Sequence, residues 1–175
     1  MKKVDKYHDF PLCGKRITLK KFSKKDITPE YIAWLNSKVI MKHSHQRLSV
    51  HNAMSCMQYV DSFCMTDNLF LSIYVEELLV GTMTAYISIE EKIADLGVLV
   101  GDRMWGKGIG YEAWQTLMDY LLLQEFRVTA GTVPSNIAMK KIAMRSGMKS
   151  QGEDYLEEVI NGVTMSTLYS LYVAP

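Results

Sequence analysis

The sequence predicts an α/β domain: a mixed, mostly antiparallel central sheet of about seven strands, flanked by helices on both faces. Three observations carry this. Apolar residues alternate in strand-length segments and recur every three or four residues in others, in the order β-α-α-β-β-β-α-β-α-β-β. Asn161-Gly162 separates two long strand patterns and is the strongest short hairpin signal in the chain. The segment Trp105-Gly106-Lys107-Gly108-Ile109-Gly110 lies between the most apolar strand pattern and the longest helical one, which suits a parallel crossover.

Taken in order, 16–22 reads as a strand, with Ile17 and Leu19 alternating against basic neighbours. Thr28-Pro29-Glu30 starts a helix, Thr28 as cap and Pro29 at the first helical position. Tyr31, Ile32, Trp34 and Leu35 give its apolar face, and it ends near Ser37. The polar stretch His43-Ser44-His45-Gln46-Arg47 follows. A second helix runs from Ser49 or His51 to Met65, with Met54, Met57, Tyr59, Val60 and Phe63 on its apolar side. Segments 69–75 and 79–89 form a hairpin around Glu76-Glu77. Segment 93–100 is apolar at Leu96, Val98, Leu99 and Val100, as in a central strand buried on both faces. A long helix at 109–124 presents Ala113, Leu117, Tyr120 and Leu121 on one face. Segment 126–132 is a strand and 136–145 a short helix, closed by Gly147 as a left-handed cap. The last two strands are 148–160 and 163–173.

No linker or repeat divides the chain, so one domain over 1–175 is expected. A hydrophobic share of 48% leaves enough apolar surface for a sizeable core. With 20 basic against 19 acidic residues, net charge +1 gives no broad pull toward nucleic acid or an acidic membrane. No run approaches a membrane span, and the charged first ten residues lack a signal-length apolar stretch, so the expected compartment is the cytoplasm. Cys13, Cys56 and Cys64 are too sparse for a disulfide framework and read as reduced, buried thiols. With no paired acids or cysteines near the histidines, no metal site is expected. The twelve methionines should fill core gaps, some of them lining a pliable pocket.

The glycine segment points to phosphate chemistry. Glycines let main-chain N–H groups turn toward an anion, a helix start adds unpaired donors, and Lys107 adds a cation. A dinucleotide fold would place such a loop after the first strand, and a P-loop would follow Gly-Lys with Ser or Thr. Neither pattern is met, since the loop follows the fourth strand and Lys107 precedes Gly108.

In this position the segment resembles the glycine signature of the GNAT superfamily of acyl-CoA N-acyltransferases. Trp105 at its opening is similar to the branch containing ribosomal-protein N-terminal acetyltransferases, the RimJ/RimL-like group. The segment 94–100 resembles the strand that feeds the signature, 136–148 resembles the Asn-led helix ending in Gly-Phe with Met148 at the Phe position, and 31–37 resembles the first helix of that branch.

The resemblance implies acetyl-CoA as co-substrate and transfer of its acetyl group directly to an amine. It places the pyrophosphate on Gly106, Lys107, Gly108, Ile109, Gly110 and Tyr111, with Trp105 beside them. It places the pantetheine arm along Val98, Leu99 and Val100, one of whose N–H groups would face the thioester carbonyl, and it gives Asn136 a contact with that arm or a helix cap. The family's usual acid positions are Ala143 and Met139 here, a departure that leaves the thiolate without its ordinary proton donor. An attacking amine must be neutral, while its ordinary pKa lies near about 10, so a base is required. Candidates are His45, in the loop that borders the acceptor site in this family, and Asp95 on the fourth strand. His43 and Arg47 would bind an anionic acceptor, Tyr86 is a third expected substrate-binding residue, and Tyr155 is a further hydroxyl.

The first helix and its polar loop look like acetyltransferases of amino-sugar nucleotides in surface-polysaccharide synthesis. The small-molecule acceptor is therefore expected to be such a sugar nucleotide; the alternatives are a protein N-terminus or another small amine. A reading of a different class is an acyl-CoA-binding sensor without turnover. Family members often pair through strand edges, which makes a homodimer an expectation.

Overall fold

The computed structural model describes residues 5–175. Its strands are β1 (Leu12–Cys13), β2 (Ile17–Lys21), β3 (Leu69–Val75), β4 (Leu78–Ser88), β5 (Ile93–Val100), β6 (Arg127–Thr132), β7 (Lys149–Ile160) and β8 (Val163–Val173). Its α-helices are α1 (Pro29–Asn36), α2 (Ala53–Ser62), α3 (Ile109–Leu123) and α4 (Ile137–Arg145). The sheet among the described residues has 8 strands in the order β1-β2-β3-β4-β5-β6-β8-β7. The strand beyond the expected seven is β1, too short for any periodicity to mark it. Only β5 and β6 run parallel; every other pairing is antiparallel.

Helix α1 begins as its residues dictate: Thr28 Oγ1 accepts the Tyr31 N–H at 3.1 Å and Pro29 occupies the first turn. Helix α2 begins later than its apolar spacing suggests. His45–Leu48 forms a turn of 3-10 helix, and Asn52 then caps α2 reciprocally with Ser55 at 2.9 and 3.0 Å. The hairpin turns at 76–77 and 161–162 form as expected, with Glu76, Asn161 and Gly162 at positive φ.

The sheet separates two cores. On one face α3 buries Trp114, Leu117, Met118 and Leu121 against Leu19, Ile73, Met83 and Val128, and α4 adds Ala143. Each such large side chain contributes about 1.5–3 kcal/mol of burial free energy. On the other face α1 and α2 bring Tyr31, Trp34 and Cys56 against Phe22, Phe63 and Phe70, the Phe22 and Phe70 rings stacking at 4.3 Å. Of the three cysteines only Cys56 is buried; Cys13 and Cys64 are exposed, contrary to the core placement expected for them. No helix among the described residues is long and apolar enough to cross a membrane.

Two features of the sheet set up the site. First, β5 and β6 pair only at Ile93, Ala94 and Asp95; β6 then takes β8 as its partner and the two parallel strands part. Residues 97–100 of β5 are half-buried for this reason, not buried on both faces as their apolar run suggests. Second, β6 pairs with β8 only as far as Ser170, so 163–169 pair with β7 alone and form a projecting two-stranded arm.

Candidate functional site

A cavity of about 1310 Å³ fills the gap where β5 and β6 part. The alternation of the main chain decides which β5 groups face it. Arg127 N–H donates to the Lys92 carbonyl at 2.7 Å, which sets the even-numbered residues of β5 toward β6. Gly101 N–H donates to the Val80 carbonyl at 2.9 Å, which sets the odd-numbered ones toward β4. Past the last paired residue, the main-chain groups of Leu96, Val98 and Val100 therefore line the open edge. The Val100 carbonyl accepts the Trp105 indole N–H at 2.8 Å. Leu99, placed with Val98 and Val100 in the sequence reading, turns its peptide toward β4 and borders the cavity with its side chain.

The glycine segment forms the cavity's next wall. Gly108 caps α3 in the left-handed region at φ 77, and with no side chain it leaves the first-turn N–H groups uncapped. Gly110 is needed for a different reason: a Cβ there would lie 3.3 Å from Val100 Cγ2 and 3.4 Å from Ile142 Cδ1. Ile109, Gly110 and Tyr111 border the cavity, so a positive helix end and free donors face it. This combination suits an anionic ligand such as a diphosphate.

Lys107 does not point into the site. Its ammonium lies 3.8 Å from Met104 Sδ, and its carbonyl accepts a 2.8 Å bond from Arg16 Nη1. Beside Lys42, the cations that border the cavity are Lys141 and Arg145, one helical turn apart on α4, with the Arg145 guanidinium 4.0 Å from the Tyr111 ring centre. Their four-residue spacing on the Asn-led helix is legible in the sequence. Asn136 acts as the cap of α4, accepting the Met139 N–H at 3.2 Å and donating to Thr132 Oγ1 at 3.0 Å, and it also borders the cavity. Ala143 is buried in the core, while Met139 is half-buried, packs against that core and borders the cavity.

Arg16 braces the loop from behind through Glu112, its Nε 2.8 Å from Oε2. Burial raises the Glu112 pKa, but hydrogen bonds and charge from Arg16, with the Ile17 N–H, outweigh it and leave the value below the ordinary carboxylate range. A folded-state pKa below the unfolded one stabilises the protein above the unfolded value, and that stability is lost as pH falls through the folded value. Glu112→Gln is therefore expected to lower the urea midpoint at pH 7, with a smaller difference from the parent protein at an acid pH, where Glu112 takes up its proton. An equal deficit at both pH values would mean that the charge is not the cause.

The far end of the cavity is polar and aromatic. His45, only 13% exposed, places Nδ1 2.8 Å from Glu158 Oε2 and Nε2 3.2 Å from Thr167 Oγ1. Tyr169 donates to the same Glu158 oxygen at 2.8 Å, and burial, then Glu158, pushes its hydroxyl up to about 12. His43 lies 3.3 Å from Ser135 Oγ; desolvation, then the charges of Lys42 and Arg47, lowers its pKa. Tyr86 shares a 3.0 Å bond with Tyr59, whose hydroxyl is raised chiefly by burial. Arg47 donates to the Ser44 carbonyl at 2.8 Å and does not border the cavity, while Lys42 does. Tyr155 is exposed on the arm and borders neither cavity.

Asp95 lies on a smaller neighbouring cavity of about 590 Å³, which shares Tyr86, Glu158 and Tyr169 with the larger one. It keeps solvent exposure, yet the protein around its carboxyl raises its pKa against the 2.8 Å bond from Thr129 Oγ1. The structure thus brings His43, His45, Tyr86 and the residues of the β5 edge and glycine loop to one cavity, and sets Lys107, Arg47 and Asp95 apart from it. Glu158, Tyr169, Lys141, Arg145 and Arg16 join the site without having been singled out in the sequence.

The family model described as acetyltransferase (GNAT) domain matches residues 16–149. No curated protein matches the chain. Among solved structures, the chain is similar to the microcin C7 self-immunity acetyltransferase MccE in complex with acetyl-CoA and AMP, at 21% identity over 91% of this chain and 92% of that one, with a TM-score of 0.78. It is similar to RimL, the ribosomal L7/L12 alpha-N-protein acetyltransferase, in complex with coenzyme A, at 16% identity over 93% and 95%, with a TM-score of 0.78. A GNAT-family acetyltransferase from Bacillus anthracis aligns at 19% identity over 93% and 96%, with a TM-score of 0.73. At these identities the likeness is one of fold.

Proposed function

Since the chain belongs to the acetyltransferase (GNAT) domain family and is thereby an acetyl-CoA-dependent N-acetyltransferase, we propose that it transfers the acetyl group directly to the primary amine of an amino-sugar nucleotide. The observation that carries the reading is the parting of β5 from β6 directly beside an uncapped helix start. The helix start and its glycines hold the diphosphate, with Lys141 and Arg145 close by for the remaining phosphate charge. The pantetheine amides take the place of the missing strand along the open edge of β5. The Val98 N–H is the donor on that edge best placed for the thioester oxygen, and it stabilises the negative charge that develops there.

The amine enters from the end lined by His43, His45 and Tyr86. It loses a proton to become neutral and attacks the carbonyl carbon; the C–N bond forms, the C–S bond breaks, and coenzyme A leaves as thiolate. Ala143 and Met139 offer it no proton, so the proton lost by the nitrogen reaches it through water. The pair His45 and Glu158 is the proposed basic unit, and Asp95 opens onto the smaller cavity behind it. Sequence resemblance in 31–47 favours the sugar nucleotide, and Lys42 and His43 are the cavity residues proposed to meet its phosphates.

The test is thiol release from acetyl-CoA with UDP-glucosamine, a peptide with a free N-terminus, and spermidine as acceptors. Release with UDP-glucosamine well above the other two is the expected result. Preference for the peptide would replace the acceptor class and keep the enzyme. Thermal stabilisation by acetyl-CoA with no thiol release from any amine would leave a sensor.

A further inference from the structure

The arm formed by β7 and β8 carries one carboxylate to the transfer site. Register pairs Glu158 with Met165 and Leu156 with Thr167, which puts Glu158, Thr167 and Tyr169 on one face of the arm. Glu158 is 42% exposed and lies on the wall between the two cavities. Both of its donors, His45 Nδ1 and the Tyr169 hydroxyl, converge on Oε2 at 2.8 Å. Among the described residues no donor reaches Oε1.

His45 is held differently. An ionised carboxylate only accepts, so the proton on the ring must sit on Nδ1, facing Glu158. Nε2 then accepts from the Thr167 hydroxyl in a neutral imidazole, or donates to it in a charged one. Both ring nitrogens are engaged in either state. The basic atom of the pair left without a protein partner is Oε1 of Glu158.

We propose that Glu158 is the catalytic proton acceptor for the attacking nitrogen, and that His45 and Tyr169 are its positioning residues. This rests on the N-acetyltransferase reading above. The acceptor gives up its ammonium proton to solvent and attacks as a neutral amine. On bonding to the carbonyl carbon its nitrogen becomes positively charged and far more acidic. One N–H proton passes to Glu158 Oε1, the C–S bond breaks with its electron pair on sulfur, and the thiolate takes up the proton from Glu158 through water. Amine and thioester become amide and thiol, and the carboxylate is restored. A carboxylate is too weak a base to strip a free ammonium efficiently, but it suits the acidic nitrogen of the addition intermediate.

The experiment compares the parent protein with Glu158→Gln and Glu158→Asp, using acetyl-CoA with UDP-glucosamine, the free-N-terminus peptide and spermidine. Glutamine keeps the size and can still accept from His45 and Tyr169. It is expected to lower kcat by about a hundredfold or more, the range for removal of a general base. The KM values for acetyl-CoA and acceptor are expected to stay within about threefold, since ground-state binding is untouched. Aspartate, which restores the charge one methylene short, recovers part of the rate. Unchanged thermal stabilisation by acetyl-CoA shows that each variant is folded. A Glu158→Gln kcat within about threefold of the parent overturns the assignment, and so does a change confined to the acceptor KM. No thiol release by the parent protein with any of the amines overturns the acetyltransferase reading itself, and this one with it.

Discussion

Gly108→Asp is expected to abolish saturable acetyl-CoA binding while leaving the protein folded. Gly108 sits at φ 77 as the cap of α3, and a Cβ there would lie 3.3 Å from Arg16 Nη2, the far end of a flexible side chain. Aspartate is among the few residues that tolerate this backbone region, and it is a good helix cap. Its carboxylate would add a negative charge at the helix start proposed for the diphosphate and compete with the diphosphate for that positive end. Each lost hydrogen bond to a charged group is worth about 1.5–3 kcal/mol, so losing two weakens binding by about a hundredfold or more. Titration calorimetry with acetyl-CoA reads the loss, and circular dichroism reads the fold. Unchanged affinity would show that the diphosphate is held somewhere other than this helix start.

The largest stability effect is expected at Trp114. Its side chain is 0% exposed at the centre of the face covered by α3. Trp114→Ala removes the largest fully buried side chain of the molecule and is expected to cost about 3–5 kcal/mol, read as a lower urea midpoint. Trp114→Phe is the informative companion. The indole N–H has no hydrogen-bond partner in its buried position, a penalty of about 1–3 kcal/mol that phenylalanine removes. That relief partly offsets the lost volume, so the phenylalanine variant should retain clearly more stability than the alanine one. A loss below about 1 kcal/mol for Trp114→Ala would contradict the packing account.

Local chemistry made much of this molecule readable in its sequence. Thr28 and Pro29 fix the start of α1, Asn161-Gly162 fixes the last hairpin, and the glycine segment starts α3, because each depends on residues only a few positions apart. What stayed hidden depends on distant partners. The apolar run of β5 looks like a strand buried on both faces; it is half-open because β6 leaves it for β8, a choice made by the C-terminal hairpin. Lys107 is the obvious cation of its loop, yet it rests on Met104, and the cation that reaches Tyr111 at the start of α3 is Arg145, from α4. Arg16 supports the loop through Glu112 from the other end of the chain. Glu158 is one of several acids in an exposed alternating strand, and nothing nearby distinguishes it; only folding the arm against His45 does. The departure at Ala143 and Met139 is visible in the sequence, and the structure gives its physical form: Ala143 is buried in the core, and Met139 presents a half-buried thioether with no acidic proton at the cavity.

The projecting arm divides the labour of the transfer reaction between two parts of different mechanical standing. Grip on the carrier is anchored in α3, α4 and the central strands, where a substitution disturbs the hydrophobic interior. The proposed proton acceptor, Glu158, rides instead on a ribbon whose outer pairs join no third strand. Substitutions along its outer pairs are therefore expected to cost little stability, so that the proton-transfer step can be adjusted without loosening the hold on the carrier.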